Sequence, residues 1–140
     1  MPSPHIYYSP ALKCWVLGDN WTVRLDGHTF VIPQGFMYDM ASTPRIVAPI
    51  INCFDLGTGS PLVHDWGYQH QGRMCPGLVW TRKQVDRNFS AMMRDECVTP
   101  WKRRYAYAAV RLFGWLCFRA KAQEPLPRAA KRQRKEADCQ

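Results

Sequence analysis

Apolar and polar positions alternate through the first part of the chain. Trp21-Thr22-Val23-Arg24-Leu25 and His28-Thr29-Phe30-Val31-Ile32 both follow the two-residue period of a strand with one buried face. Cys14-Trp15-Val16-Leu17 is a short apolar run of strand length. Gly18-Asp19-Asn20 and Asp26-Gly27 separate these segments. An Asp-Gly pair between two strands favours a type I′ hairpin, because both residues tolerate positive φ. The pattern predicts a small antiparallel β-meander, closed by Pro33 and Gly35.

Beyond residue 40 the pattern turns helical. A hydroxyl residue directly precedes proline at Thr43-Pro44, Ser60-Pro61 and Thr99-Pro100. The hydroxyl can cap free N–H groups, and proline has the φ of a first helical residue. Thr81 is a fourth cap candidate, without proline. Helices are therefore expected to start near 44, 61, 81 and 100, the first ending between Asn52 and Asp55. Val85, Phe89, Met92 and Met93 form the buried stripe of the third. Gly72 to Trp80, with Pro76 and Gly77, reads as a loop. The last helix, Trp101 to about Lys121, is apolar almost all round between Tyr105 and Phe118, with Arg111 the one charge there, as in a buried central helix. The expected fold is α+β: an N-terminal antiparallel β-meander followed by a three- to four-helix bundle. Residues 1–122 are expected to form one domain, and the Pro-containing, basic stretch 123–140 a disordered tail.

Composition supports a globular reading and locates the charge. The chain has 140 residues, 46% of them hydrophobic and 13% aromatic, enough for a real core. The formal net charge is +8, and it is lopsided. Residues 1–98 hold eight Lys/Arg and eight Asp/Glu; residues 99–122 hold six Lys/Arg and no acid; residues 123–140 hold five and three. A basic C-terminal third suits an acidic partner surface, whether an anionic membrane, another protein or, ranked behind these, nucleic acid. No window reaches the ~18 apolar residues of a membrane span. Met1 to Pro10 has no basic segment leading into an apolar run, so the protein is expected to stay in the cytoplasm where it is made. The six cysteines form no C-x-x-C pair and are expected to be reduced.

The ionisable chemistry gathers in two helices. His64 and Tyr68 are i and i+4 and share a face, whereas Asp65 projects about 100° away. Asp86 lies beside the buried stripe of the next helix. If these helices run antiparallel, Asp86 can meet His64, fix its tautomer and leave its other nitrogen as a general base. Asp65 is then free to hold a hard divalent cation, with Asp39 and nearby main-chain carbonyls as further oxygen ligands. The same residues also suit a purely structural role: a buried His–Asp contact, an Arg82–Asp86 surface pair and an Asp65 in the first turn of a helix. A zinc site from His64, His70 and Cys75 fits poorly, because i and i+6 do not share a helix face.

Two resemblances sharpen this reading. The ordered motifs Ile32-Pro33-Gln34-Gly35-Phe36, Asp39-Met40-Ala41-Ser42-Thr43-Pro44-Arg45, His64-Asp65-Trp66-Gly67-Tyr68 and Arg82 with Asp86 resemble a family of small phage and prophage proteins of unknown function. That resemblance runs from about Trp15 to Phe118 and implies a viral protein in the host cytoplasm or the virion. The stretch His64-Asp65-Trp66-Gly67-Tyr68 with Thr81 to Phe89 is similar to the two-helix core of bacterial and fungal phospholipases A₂. It implies a hydrolase acting on lipid esters, with His64 as the base, Asp86 orienting it, and Asp65 holding calcium together with Asp39 and the Met40 carbonyl. Where that family has a disulfide-forming cysteine three residues before its histidine, this chain has Pro61. The alternative expectation is a non-catalytic virion or tail-associated protein, in contact with other virion proteins.

Overall fold

The computed structural model describes residues 1–38 and 53–120. The element order is β1 (Ile6–Ser9), β2 (Cys14–Leu17), β3 (Trp21–Leu25), β4 (His28–Ile32), β5 (Met37–Tyr38), a 3₁₀ turn (Cys53–Leu56), α1 (Gly59–Gln69), β6 (Arg73–Cys75), β7 (Leu78–Val79), α2 (Arg82–Asp95) and α3 (Pro100–Ala120). The class is α+β, with antiparallel strands first and three α-helices after them among the described residues. The helix expected from Thr43-Pro44 and the tail 123–140 fall outside the described residues.

The β3–β4 hairpin forms as its sequence directs. Leu25 pairs with His28 across a two-residue turn, in which Asp26 and Gly27 both have positive φ. The three strands do not, however, form one meander. β2 pairs with β1 on one side and β5 on the other, giving the order β1-β2-β5, while β3-β4 stands as a separate two-stranded sheet. The chain beyond β4 returns to β2: Gly35 N–H donates to the Leu17 carbonyl at 2.8 Å, and Leu17 N–H donates to Phe36 at 2.9 Å. Gln34 secures that return by donating its side-chain amide to the Gly18 carbonyl and its N–H to the Asn20 side chain. Gly18-Asp19-Asn20 is thus a connection between two sheets rather than a hairpin turn.

The helical starts divide into local and distant solutions. Thr81 and Gln84 form a full capping box at the start of α2. α3 begins at Pro100, with Arg103 N–H donating to the Thr99 carbonyl. α1 starts two residues earlier than Ser60-Pro61 predicts, and Ser60 does not cap it; its hydroxyl donates back to the Leu56 carbonyl at 2.6 Å. The free N–H groups of Thr58, Gly59 and Ser60 donate instead to the carboxylate of Glu96, just past the end of α2. A negative charge at that position also suits the positive end of the helix dipole.

The main core joins the sheets to α1 and α2 through Leu17, Val23, Ile32, Tyr38, Leu62, Val63, Met74 and Val85. A second cluster, with Phe89, Met93, Ala106 and Ala109, joins α2 to α3. α3 departs from the expectation of an all-round buried helix. Leu112, Phe113, Trp115 and Leu116 are exposed, Leu112 by 66%. The described elements pack against the other side of α3, through its small residues Ala106, Ala109 and Gly114 together with Tyr105, Val110, Cys117 and Phe118. No described helix is long and apolar enough to cross a membrane.

Between α1 and α2, the expected loop is a small hairpin, β6–β7, turning at Pro76-Gly77. Gly72 enters it at φ +80° and donates to the Gly67 carbonyl, while Trp80 N–H donates to the Gly72 carbonyl. A Cβ at Gly72 would collide with the Trp80 carbonyl oxygen, whereas one at Gly77, at φ +82°, meets nothing. Gly77→Ala is therefore expected to cost about 1 kcal/mol, the left-handed penalty alone. Gly72→Ala is expected to cost about 3 kcal/mol or more, because strain and collision add. Urea midpoints of the two variants measure this, and equal costs would refute the account of the hairpin.

Candidate functional site

α1 and α2 pack antiparallel, since Glu96 at the end of α2 reaches the start of α1 and Tyr68 near the end of α1 reaches the start of α2. The capping box fixes where α2 begins, and from there Val85 turns to α1 while Asp86 turns to the seam shared by all three helices. Gly67 permits the approach: a Cβ there would meet the Val85 methyls. Gly114 does the same on α3, where a Cβ would meet the Tyr68 hydroxyl. Two missing side chains let three helices close around one carboxylate.

That carboxylate is Asp86, which is 0% exposed. Its Oδ1 lies 3.1 Å from His64 Nε2 and accepts from the Tyr68 hydroxyl at 2.7 Å. Its Oδ2 accepts from Arg111 at 2.9 Å and lies 3.6 Å from the Arg82 guanidinium. Arg82 also donates to the carbonyls of Val110 and Arg111 on α3. Burial pushes the Asp86 carboxyl up, but the hydrogen bonds from His64, Tyr68 and Arg111 outweigh it and hold it below the usual carboxylate range. Burial, and then the bond to Asp86, push the Tyr68 phenol well above its ordinary value. The bond to Asp86 also raises the Arg111 guanidinium.

His64 is brought to Asp86 as the sequence requires, with its ring between two others. The Tyr68 ring lies 4.1 Å away centroid to centroid and Phe89 4.5 Å, each tilted by less than 40°. Its side chain keeps 11% of its surface exposed. With Nε2 held by Asp86, Nδ1 is the remaining nitrogen, and no described residue hydrogen-bonds it. An imidazole held this way can accept a proton at Nδ1 while its orientation stays fixed.

Asp65 lies on another side of α1 and is buried. Gln69, one turn further on and on the same face, donates its side-chain amide to the Met37 carbonyl of β5. Asp65 therefore lies on the side of α1 that carries the Gln69 contact to β5. Asp39 and Met40 themselves fall outside the described residues. The donor chemistry fits a hard cation, since all three positions offer oxygen. No group of three metal-ligating side chains forms among the described residues. His70, named with His64 and Cys75 for zinc, is engaged elsewhere: its Nδ1 lies 2.9 Å from the Trp66 carbonyl and its ring stacks on Trp66 at 3.8 Å.

Arg111 and Tyr68 are the members of the site whose bonds to Asp86 the sequence reading missed. A signal for Arg111 was present, because a lone charge in an apolar helix needs a buried opposite charge. Tyr68 was placed on the face of His64, yet nothing in sequence spacing says that its hydroxyl reaches Asp86.

The chain belongs to the DUF1353 family, proteins of unknown function, whose model matches residues 15–110. The ordered motifs had implied an uncharacterised family of this kind. The matched span covers β2 to the middle of α3 and includes His64, Asp65, Tyr68 and Asp86, ending one residue before Arg111. No curated protein and no solved structure matches the chain.

The buried carboxylate makes stability depend on pH in a defined direction. A carboxyl held below its ordinary 3.8 stabilises the fold above that value, and the stabilisation is lost as pH falls through the lower folded value. A phenol held above its ordinary 10.0 stabilises the fold below 10.0, and that is lost as pH rises further. His70, kept below its ordinary 6.5 by burial, adds a loss as pH falls below 6.5. Melting temperature is therefore expected to plateau between about pH 7 and 10 and to fall on both sides. Asp86→Ala should cost about 3 kcal/mol or more at neutral pH, because it leaves two half-buried arginines without a counter-charge and the buried Tyr68 hydroxyl without its acceptor. Asp86→Asn should flatten the acid limb and Tyr68→Phe the alkaline limb. A wild-type acid limb unchanged in Asp86→Asn would refute the assignment.

Proposed function

We propose that this DUF1353 protein is a phage-borne hydrolase of lipid esters with a phospholipase A₂-like site. The observation that supports the reading is the bond between His64 Nε2 and the fully buried Asp86 carboxylate, which leaves Nδ1 as the base. In this reading Nδ1 removes a proton from water as its oxygen attacks the ester carbonyl. Asp86 keeps the ring in place and favours the imidazolium. The imidazolium then returns the proton to the departing alkoxide as the carbon–oxygen bond breaks. Asp65, with Asp39 and the Met40 carbonyl, would hold calcium, which supplies positive charge for the developing oxyanion when bound.

A second reading rests on the other half of the same geometry. Arg111, Arg82 and Tyr68 already engage Asp86 from all three helices. Asp86 could then be a staple of a non-catalytic virion or tail-associated protein, with His64 one more donor to it.

Fatty-acid release from phospholipid vesicles, with calcium and with chelator, separates the two. The hydrolase reading expects calcium-dependent release that His64→Ala reduces by at least about a hundredfold. It also expects Asp65→Asn to need more calcium for the same rate. Release at background by folded wild-type protein, with His64→Ala showing only a lower melting temperature, would leave the staple reading standing.

A further inference from the structure

On the face of α2 turned away from α1, Arg87, Ser90, Ala91 and Arg94 follow the i, i+3, i+4, i+7 spacing of one helical stripe. Arg103 and Tyr107, one turn apart on α3, face that stripe across an open groove of about 290 Å³. Three guanidinium groups, a phenol and a hydroxyl line it, and no carboxylate does among the described residues. Neither Arg87 nor Arg103 has a carboxylate partner among the described residues, while Arg94 has only the exposed Asp95 at 3.7 Å. The remaining acids on α2 and its end are turned inward, Asp86 onto the buried network and Glu96 onto the start of α1. Internal partners thus consume the negative charge that might have offset these arginines.

Like charges gathered on one groove repel, and an anion seated between them relieves that repulsion. Guanidinium forks match phosphate oxygens with two parallel hydrogen bonds each, and Ser90 and Tyr107 add neutral donors. Ser90 and Ala91, the two small side chains in the lining, leave room between the longer ones. The volume is near the lower limit of small-ligand sites, the size of a phosphate-bearing group rather than a large organic molecule.

We infer that the groove formed by Arg87, Ser90, Ala91, Arg94, Arg103 and Tyr107 binds a phosphate group, presented either free or on a lipid headgroup. It is separate from the His64–Asp86 site and does not depend on that site being catalytic.

Titration calorimetry with pyrophosphate, and sedimentation with vesicles containing phosphatidic acid, test this at matched ionic strength. Wild type is expected to bind at least one of them. Arg87→Ala and Arg103→Ala should each weaken binding about tenfold or more. Ala91→Leu should weaken it similarly by filling part of the groove, although it changes no charge. Arg24→Ala and Arg73→Ala, which remove the same charge from the β half, should leave it unchanged. Binding to pyrophosphate identifies a free phosphate as sufficient; binding to vesicles alone identifies the lipid headgroup. No binding to either, or a loss no greater in the groove variants than in Arg24→Ala and Arg73→Ala, would overturn the inference.

Discussion

Removing an ionised carboxylate from water costs several kcal/mol unless opposite charge and hydrogen bonds replace the solvent. Asp86 meets that condition only because α1 and α3 both reach it: His64 and Tyr68 from one, Arg111 from the other, with Arg82 from its own helix. The helices are therefore not free to pack on any apolar face. Each must present a particular donor at a particular height, and the glycines at 67 and 114 provide the space. An apolar core tolerates small slips at modest cost, whereas a buried charge does not.

The sequence disclosed most where structure follows from neighbouring residues. The Asp26-Gly27 hairpin, the Thr81 box, the start of α3 at Pro100 and the buried stripe of α2 are all local, and all are present. The His64–Asp86 contact was legible too, because helical spacing puts both on inward faces. What stayed hidden was non-local. Nothing near Leu17 says that Gly35 and Phe36 return to pair with it, and nothing near Ser60 says that Glu96 will cap its helix. The exposed apolar side of α3 escaped for a related reason. Composition marks Leu112, Trp115 and Leu116 as apolar, but only the arrangement of the other helices decides which side is covered.

The chemistry open to His64 depends on how the carboxylate is shared. A carboxylate with one imidazole partner lends it most of its field. Here the carboxylate also engages Arg111 at 2.9 Å, with Arg82 at 3.6 Å, so it is a positional support shared by several partners. The same bonds that hold His64 in place thus tie it to Tyr68, Arg111 and Arg82 through one shared carboxylate. Asp65, on a different side of α1, is outside this sharing, so its carboxylate and the imidazole rest on separate supports.

Glu96 has a role that extends past the helix start it caps. Its carboxylate holds three consecutive N–H groups at one end of α1, while Tyr68 is tied to Asp86 at the other. A pair of antiparallel rods pinned near both ends cannot ratchet past each other. A slip of a single turn, about 5.4 Å, would break both fastenings at once. Alignment of the imidazole with its acid is thus set by a mechanical end-stop lying outside the chemistry, in a residue that touches neither partner.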